Sequence, residues 1–209
     1  MLRFSRRFAV LSPIFNHAVC RRPGPDLGRG LTTSDLGTPA FALACRQFDG
    51  YVAALQECGL EVTVLEAAPG FPDAHFVEDA AVVTPEVAVI CLPGAPSRQG
   101  EQDLITEALT VHRPLKYIQP PGTLDGGDVL MIGAHFLVGV SDRTNAEGAR
   151  QLGEALESCG HTWQAVPVGA GLHFKSSVNL LGPSTLILTE AFAGREELAQ
   201  YQQVTVSTG

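Results

Sequence analysis

TLDGGDVLMIGAHFLVGV, residues 123–140, decides how the rest of the chain is read. Two acids bracket a glycine pair (Asp125, Gly126, Gly127, Asp128), and two apolar, β-rich runs follow at 129–132 and 136–140, joined by Gly133-Ala134. Glycine permits close backbone approach and positive φ, and apolar runs around so short a turn spell a hairpin. A loop that feeds directly into a hairpin disfavours a three-layer parallel sheet, in which single strands alternate with helices. The glycines lack the Gly-x-Gly-x-x-Gly spacing and no helix follows them, so a dinucleotide-binding turn is not supported.

The same order recurs on both sides of this stretch. Upstream, residues 17–21 read as a strand, and residues 39–58 carry Phe41, Ala44, Phe48, Tyr51, Val52 and Leu55 near helical spacing before Gly59 stops them. Residues 61–65 read as a second strand. The loop AAPGFPDAHF (67–76) then leads to a hairpin of runs 80–83 and 87–91 around Thr84-Pro85-Glu86. A helix over 101–111 and a strand over 115–118 connect this hairpin to the central stretch. Downstream, a third helix is predicted over 144–159, capped by Thr144 or Asn145 and stopped by Gly160. A strand at 162–166, a Gly-rich loop, and strands at 174–181 and 186–188 complete a third pass. A fourth helix is predicted from about Gly194, followed by an extended run at 204–206.

Position in the repeat singles out residues that carry chemistry. Glu78, Asp125 and His173 stand where loop meets hairpin, 47 and 48 residues apart. Equivalent points of repeats arranged in a ring face one centre, so these three are expected to converge. Glu78 and Asp79 sit between Phe76-Val77 and the apolar run AAVV, where a half-buried carboxylate needs a partner or a cationic ligand. Asp125 is read as orienting the His173 imidazole and Asp128 as holding the turn or the substrate; a histidine with a carboxylate partner serves as acid and base near neutral pH. Arg98 and Arg143 each lie between a hairpin and the next helix, 45 residues apart. A cation there opposes the helix dipole, so the pair points to a bound carboxylate.

Composition sets outer limits. With 45% apolar and 17% charged residues the chain is no disordered segment, and its length suffices to bury roughly 70% of its unfolded surface. No run approaches the ~18 apolar residues of a spanning helix. The net charge is −8, and residues 31–209 hold 8 basic against 21 acidic residues. An acidic body speaks against nucleic acid and suits a cationic small molecule. Five cysteines (Cys20, Cys45, Cys58, Cys91, Cys159) at wide spacing, with no Cys-x-x-Cys, fit a reducing compartment, read here as the cytoplasm. The stretch 1–15, broken by Pro13, is not read as a secretory leader. Residues 1–16 are expected to form a disordered extension ahead of a single domain over 17–209.

FPDAHFVEDAAVV (71–83), TLDGGDVL (123–130), SDRTNAEGA (141–149) and GLHFKSS (171–177), in this order and spacing, resemble the dimethylarginine dimethylaminohydrolase family of the pentein superfamily. The resemblance runs from about residue 17 to about residue 190. It implies an α/β propeller, five-bladed in the family, of which about three and a half blades would lie in this chain. It implies hydrolysis of asymmetric dimethylarginine to citrulline and dimethylamine through a covalent cysteine intermediate, within arginine metabolism and nitric oxide regulation. By the same resemblance Asp73, Glu78 and Asp79 grip the guanidinium, Phe76 walls the pocket, and Arg98 and Arg143 bind the amino-acid carboxylate. Leu31 belongs to a lid, His173 is the general acid and base, and Asp125 orients it. No cofactor, metal, nucleic acid or membrane is implied; the partner is a methylated arginine, and a homodimer is compatible with the family.

The family's nucleophile is a cysteine near its C-terminus, and none of the five cysteines here stands in a matching context. The expectation is therefore an incomplete family member that is itself inactive, with the nucleophile near position 269 by the 48-residue step. Two other readings stay open: an arginine deiminase-like pentein, and a non-catalytic methylarginine-binding or regulatory protein. A comparison of arginine with its dimethylated form separates the first, and a cysteine downstream of Gly209 the second.

Overall fold

A computed structural model of the chain describes residues 15–33, 35–169 and 172–207. It divides into two compact units, residues up to His75 and residues from Phe76 onward. The N-terminal extension expected over 1–16 falls, for residues 1–14, outside the described residues.

In the first unit, β1 (His17–Arg21) and β2 (Glu61–Leu65) pair in parallel, in register from His17 with Glu61 to Arg21 with Leu65. A parallel pair needs a crossover, and α1 (Phe41–Glu57) supplies it. Buried Arg21 donates to the Glu66 carbonyl at 2.9 Å.

The second unit repeats one plan three times. β3 (Ala81–Val83) and β4 (Ala88–Ile90) form an antiparallel hairpin, and α2 (Thr106–Thr110) leads to β5 (Leu115–Tyr117), parallel to β4. β6 (Val129–Ile132) and β7 (His135–Val140) pair antiparallel, and α3 (Ala146–Glu157) returns the chain to β8 (Thr162–Pro167), parallel to β7. β9 (Val178–Gly182), β10 (Thr185–Thr189) and β11 (Gln202–Val206) repeat the arrangement, with a register shift at Thr185/Leu186.

The middle sheet is covered on both faces, which is why its strands read as nearly continuous apolar runs. Alternate side chains point opposite ways along a strand. Val129, Phe136 and Val138 join Leu152 and Leu156 of α3 in one core. Leu130, Ile132 and Leu137 join Phe174, Leu186, Leu188 and Phe192 in another. α3 starts where the Asn145 side chain accepts from Gly148 N at 2.8 Å, and the same oxygen accepts from Thr123 N at 3.1 Å. One residue thus caps the helix and ties it to the glycine turn of the middle repeat.

Three elements differ from expectation. The helix predicted over 101–111 is helical only at Thr106–Thr110, because Glu101–Ile105 winds as a tighter 3-10 helix. The fourth helix is a single 3-10 turn, Glu196–Leu198, since Leu198 and Tyr201 are the residues that reach the core and one turn suffices to place them. The strand predicted from Phe174 begins at Val178, Phe174–Ser176 being another 3-10 turn. Among the described residues no helix is long and apolar enough to cross a membrane.

Candidate active site

A 3-10 turn precedes each hairpin of the second unit: Val77–Ala80, Gly126–Asp128 and Phe174–Ser176. The middle turn touches the other two. Glycine makes the contact close. A Cβ on Gly126 would lie 2.0 Å from the Glu78 carbonyl oxygen, and one on Gly127 would lie 2.8 Å from both an Asp79 carboxylate oxygen and the His173 ring. Gly127 N donates to Asp79 Oδ1 at 2.8 Å.

The convergence places three carboxylates around one imidazole. His173 Nε2 is 3.8 Å from Asp79 Oδ2 and 4.0 Å from Asp125 Oδ2, and Nδ1 is 3.6 Å from Asp128 Oδ2. Burial works against the charged imidazole, but the carboxylates of Asp128, Asp79 and Asp125 outweigh it and raise the His173 pKa above its ordinary 6.5. Asp128 is buried and fully engaged: Ser141 Oγ and Thr144 Oγ1 each donate at 2.7 Å and Phe174 N at 2.8 Å. Burial pushes its pKa up, yet these donors and His173 bring it below the ordinary carboxylate value. Asp125 shifts the other way. Burial raises it, the neighbouring Asp79 charge adds to the rise, and the hydrogen bond from Gly94 N at 3.0 Å, Arg98 and His173 only partly offset it.

Two arginines border the acids. Buried Arg98 donates to Asp79 Oδ2 at 2.7 Å and to Glu101 Oε2 at 2.8 and 3.0 Å, and lies 4.0 Å from Asp125 Oδ2. Burial disfavours its charge, but Glu101 and Asp79 outweigh that and raise its pKa. Arg143 Nη1 lies 3.8 Å from Asp125 Oδ2, and Arg143 N donates to Ser141 Oγ at 3.0 Å. Phe76 and Glu78, on the first turn, are exposed. Leu31 and Asp73 belong to the first unit, where Leu31 N donates to Asp73 Oδ2 at 3.0 Å.

Of the residues singled out from sequence, Asp79, Arg98, Asp125, Arg143 and His173 thus share one cluster. Glu78 and Phe76 lie on its first turn, and Leu31 and Asp73 are joined to each other. The sequence did not single out Asp128 as the carboxylate at Nδ1, Glu101 as the acid behind Arg98, or Lys175, whose Nζ donates to Glu78 Oε1 at 2.8 Å. Asp79, Asp125 and His173 offer ligand atoms within 4.8 Å of one another, the spacing of a metal triad. Arg98 donates to the same Asp79 Oδ2, and Arg98 and Arg143 lie 4.0 and 3.8 Å from Asp125 Oδ2, so two positive charges already face these oxygens. Cys91 is buried beside them. Burial, then the Asp125 and Asp79 charges, hold its thiol well above the ordinary range, where the nucleophilic thiolate is scarce.

The fold is that of the pentein superfamily. Within it, the chain belongs to the family described as N,N dimethylarginine dimethylhydrolase, eukaryotic, which it matches over residues 38–197. It is 38% identical over 195 residues to the N(G),N(G)-dimethylarginine dimethylaminohydrolase of Pseudomonas aeruginosa, covering 92% of this chain and 77% of that one. The Streptomyces coelicolor protein of the same name is 44% identical over 172 residues, 81% of this chain and 67% of the relative. A solved structure of the Pseudomonas aeruginosa protein, a cysteine-to-serine mutant complexed with citrulline, superposes with a TM-score of 0.89 at 37% identity over 92% of this chain and 76% of that one. The N-terminal domain of ArgZ, a cyanobacterial arginine dihydrolase, shares the fold alone, with a TM-score of 0.78 at 16% identity over 90% of this chain and 74% of that one.

Proposed function

We propose that this protein binds N-omega-methylated arginine, asymmetric dimethylarginine above all, for hydrolysis to citrulline and dimethylamine. The observation that carries the reading is the convergence of Asp79, Asp125 and Asp128 on His173, with Arg98 and Arg143 at the border. A guanidinium carbon is a poor electrophile. It needs covalent attack by a thiolate and fixed negative charge around the cationic adduct.

In the proposed sequence a thiolate adds to the guanidinium carbon, and collapse of the adduct breaks the bond to dimethylamine. The amine takes its proton from the His173 imidazolium. A raised pKa suits this first role, because it keeps the acid form populated near neutrality. The neutral imidazole then takes a proton from water, whose oxygen attacks the same carbon; the carbon–sulfur bond breaks and the remaining hydroxyl proton passes to solvent, releasing citrulline and the thiolate. Asp128 and Asp125 position His173. Asp79 and Glu78 hold the guanidinium, Phe76 walls it, and Arg143 with Arg98 takes the amino-acid carboxylate; Asp73 and Leu31 keep the ligand-facing roles that the family resemblance implies. The hydrogen bonds of Arg98 to Asp79 and Glu101 give Arg143 the larger share of that last role.

In the same proposal the thiolate comes from a cysteine outside these 209 residues. The repeats are blades of a propeller, five in the family and about three and a half here, spanning residues 17–209 behind an N-terminal extension. The place of action is the cytoplasm. Equilibrium dialysis tests the binding step: saturable uptake of asymmetric dimethylarginine is expected, and it should fall at least tenfold in Asp79→Asn, about the loss of one charge-assisted hydrogen bond. Absence of saturable uptake by the wild-type chain refutes the reading. No citrulline release is expected, and turnover that disappears on mutating one of the five cysteines would overturn the placement of the nucleophile.

A further inference from the structure

Glu78 differs from the other carboxylates of the cluster in its exposure. Asp79, Asp125 and Asp128 are buried, and Asp79 and Asp128 are engaged through both oxygens. The Glu78 side chain is 70% exposed, and its partner among the described residues is Lys175, which reaches Oε1 alone. Lys175 is 19% exposed and follows His173 by two residues, in the turn before β9. Its ammonium also acts on Cys91, opposing the rise that burial, Asp125 and Asp79 impose on that thiol.

Building on the proposed function, we infer that Lys175 sets the specificity of the site: it holds one oxygen of Glu78, so that a ligand must present a two-pronged guanidinium edge to displace it. The reason is geometric. A guanidinium matches a carboxylate with two parallel N–H donors, whereas an ammonium is a point charge that exchanges with Lys175 one for one. The exchange of ammonium for ammonium gains nothing and leaves two like charges close together. A guanidinium gains the second hydrogen bond, and solvent-exposed ion pairs are weak enough to be displaced. Asymmetric dimethylarginine keeps such an edge, because both of its methyl groups sit on one nitrogen.

Calorimetry on the whole 209-residue chain tests this with asymmetric dimethylarginine and ornithine as probes, in wild type, Lys175→Met and Lys175→Arg. The methionine variant is expected to bind ornithine roughly fivefold tighter while dimethylarginine changes less, and added salt should shrink the gain. The arginine variant should exclude ornithine at least as well as wild type, and it carries the test alone if the methionine variant does not fold. Unchanged preference in Lys175→Met, or ornithine admitted by Lys175→Arg, overturns the inference while wild-type uptake of dimethylarginine leaves the functional reading standing. If wild type takes up neither probe the functional reading fails; ornithine binding gained by Lys175→Met then still supports the role of Lys175, and continued silence overturns that too.

Discussion

Asp128 joins three parts of the second unit: the glycine turn on which it sits, the 141–144 segment that carries Arg143, and the backbone next to His173. In sequence it is indistinguishable from Asp125, two acids around two glycines. The 48-residue period singles out Asp125, but the 3-10 turn after it aims Asp128 at Nδ1 and leaves Asp125 on the Nε2 side. Glu101 and Lys175 were illegible for the same reason, since each finds its partner through a turn and not through a pattern. The shifts fix the pH behaviour. His173, raised above 6.5, stabilises the fold fully below 6.5 and loses that contribution as pH rises through its folded value. Asp128, lowered from 3.8, stabilises above 3.8 and loses its contribution as pH falls through its folded value, whereas raised Asp125 costs stability as it ionises. Asp128→Asn should therefore cost about 2–4 kcal/mol in urea denaturation. It should also lower the His173 pKa read by imidazole nitrogen resonances; an unchanged pKa would remove Asp128 from its positioning role.

At the scale of elements, hairpins and crossovers were readable because each apolar run has a definite partner. Val129–Ile132 and His135–Val140 match their predicted positions to within a residue, the run being long enough to fill both faces of a covered sheet. Where continuous helices are predicted, residues 101–111 hold the short α2 behind a 3-10 turn, and the segment after Gly194 holds a single 3-10 turn. Their helical spacing serves only one or two turns, and packing, which decides helix length, is not local. The glycine turn gives a prediction of its own. Gly126→Ala forces a Cβ onto the Glu78 carbonyl, a backbone atom that cannot yield, and should cost about 1–3 kcal/mol or more. Gly133→Ala meets no atom within 4 Å and pays only for its φ of 63°, about 1 kcal/mol. Denaturation midpoints in the opposite order would contradict the close contact between the first two turns.

For the molecule as a whole, the period was the legible feature. Residues 47 and 48 apart stand on three turns, the middle one touching the other two, a relation legible in the spacing alone. The acidic body of residues 31–209 is compatible with the proposed cationic ligand. What the period could not supply was the internal pairing of charge, by which Arg98 locks Asp79 and Lys175 holds Glu78. The central claim is that this cluster receives a methylated guanidinium next to His173. Titration of His173 by its imidazole nitrogen resonances, with and without saturating asymmetric dimethylarginine, tests it most directly. The pKa should lie above 6.5 in the ligand-free chain and fall when the ligand's positive charge arrives beside the ring. A His173 titration that saturating ligand leaves unmoved would contradict the claim.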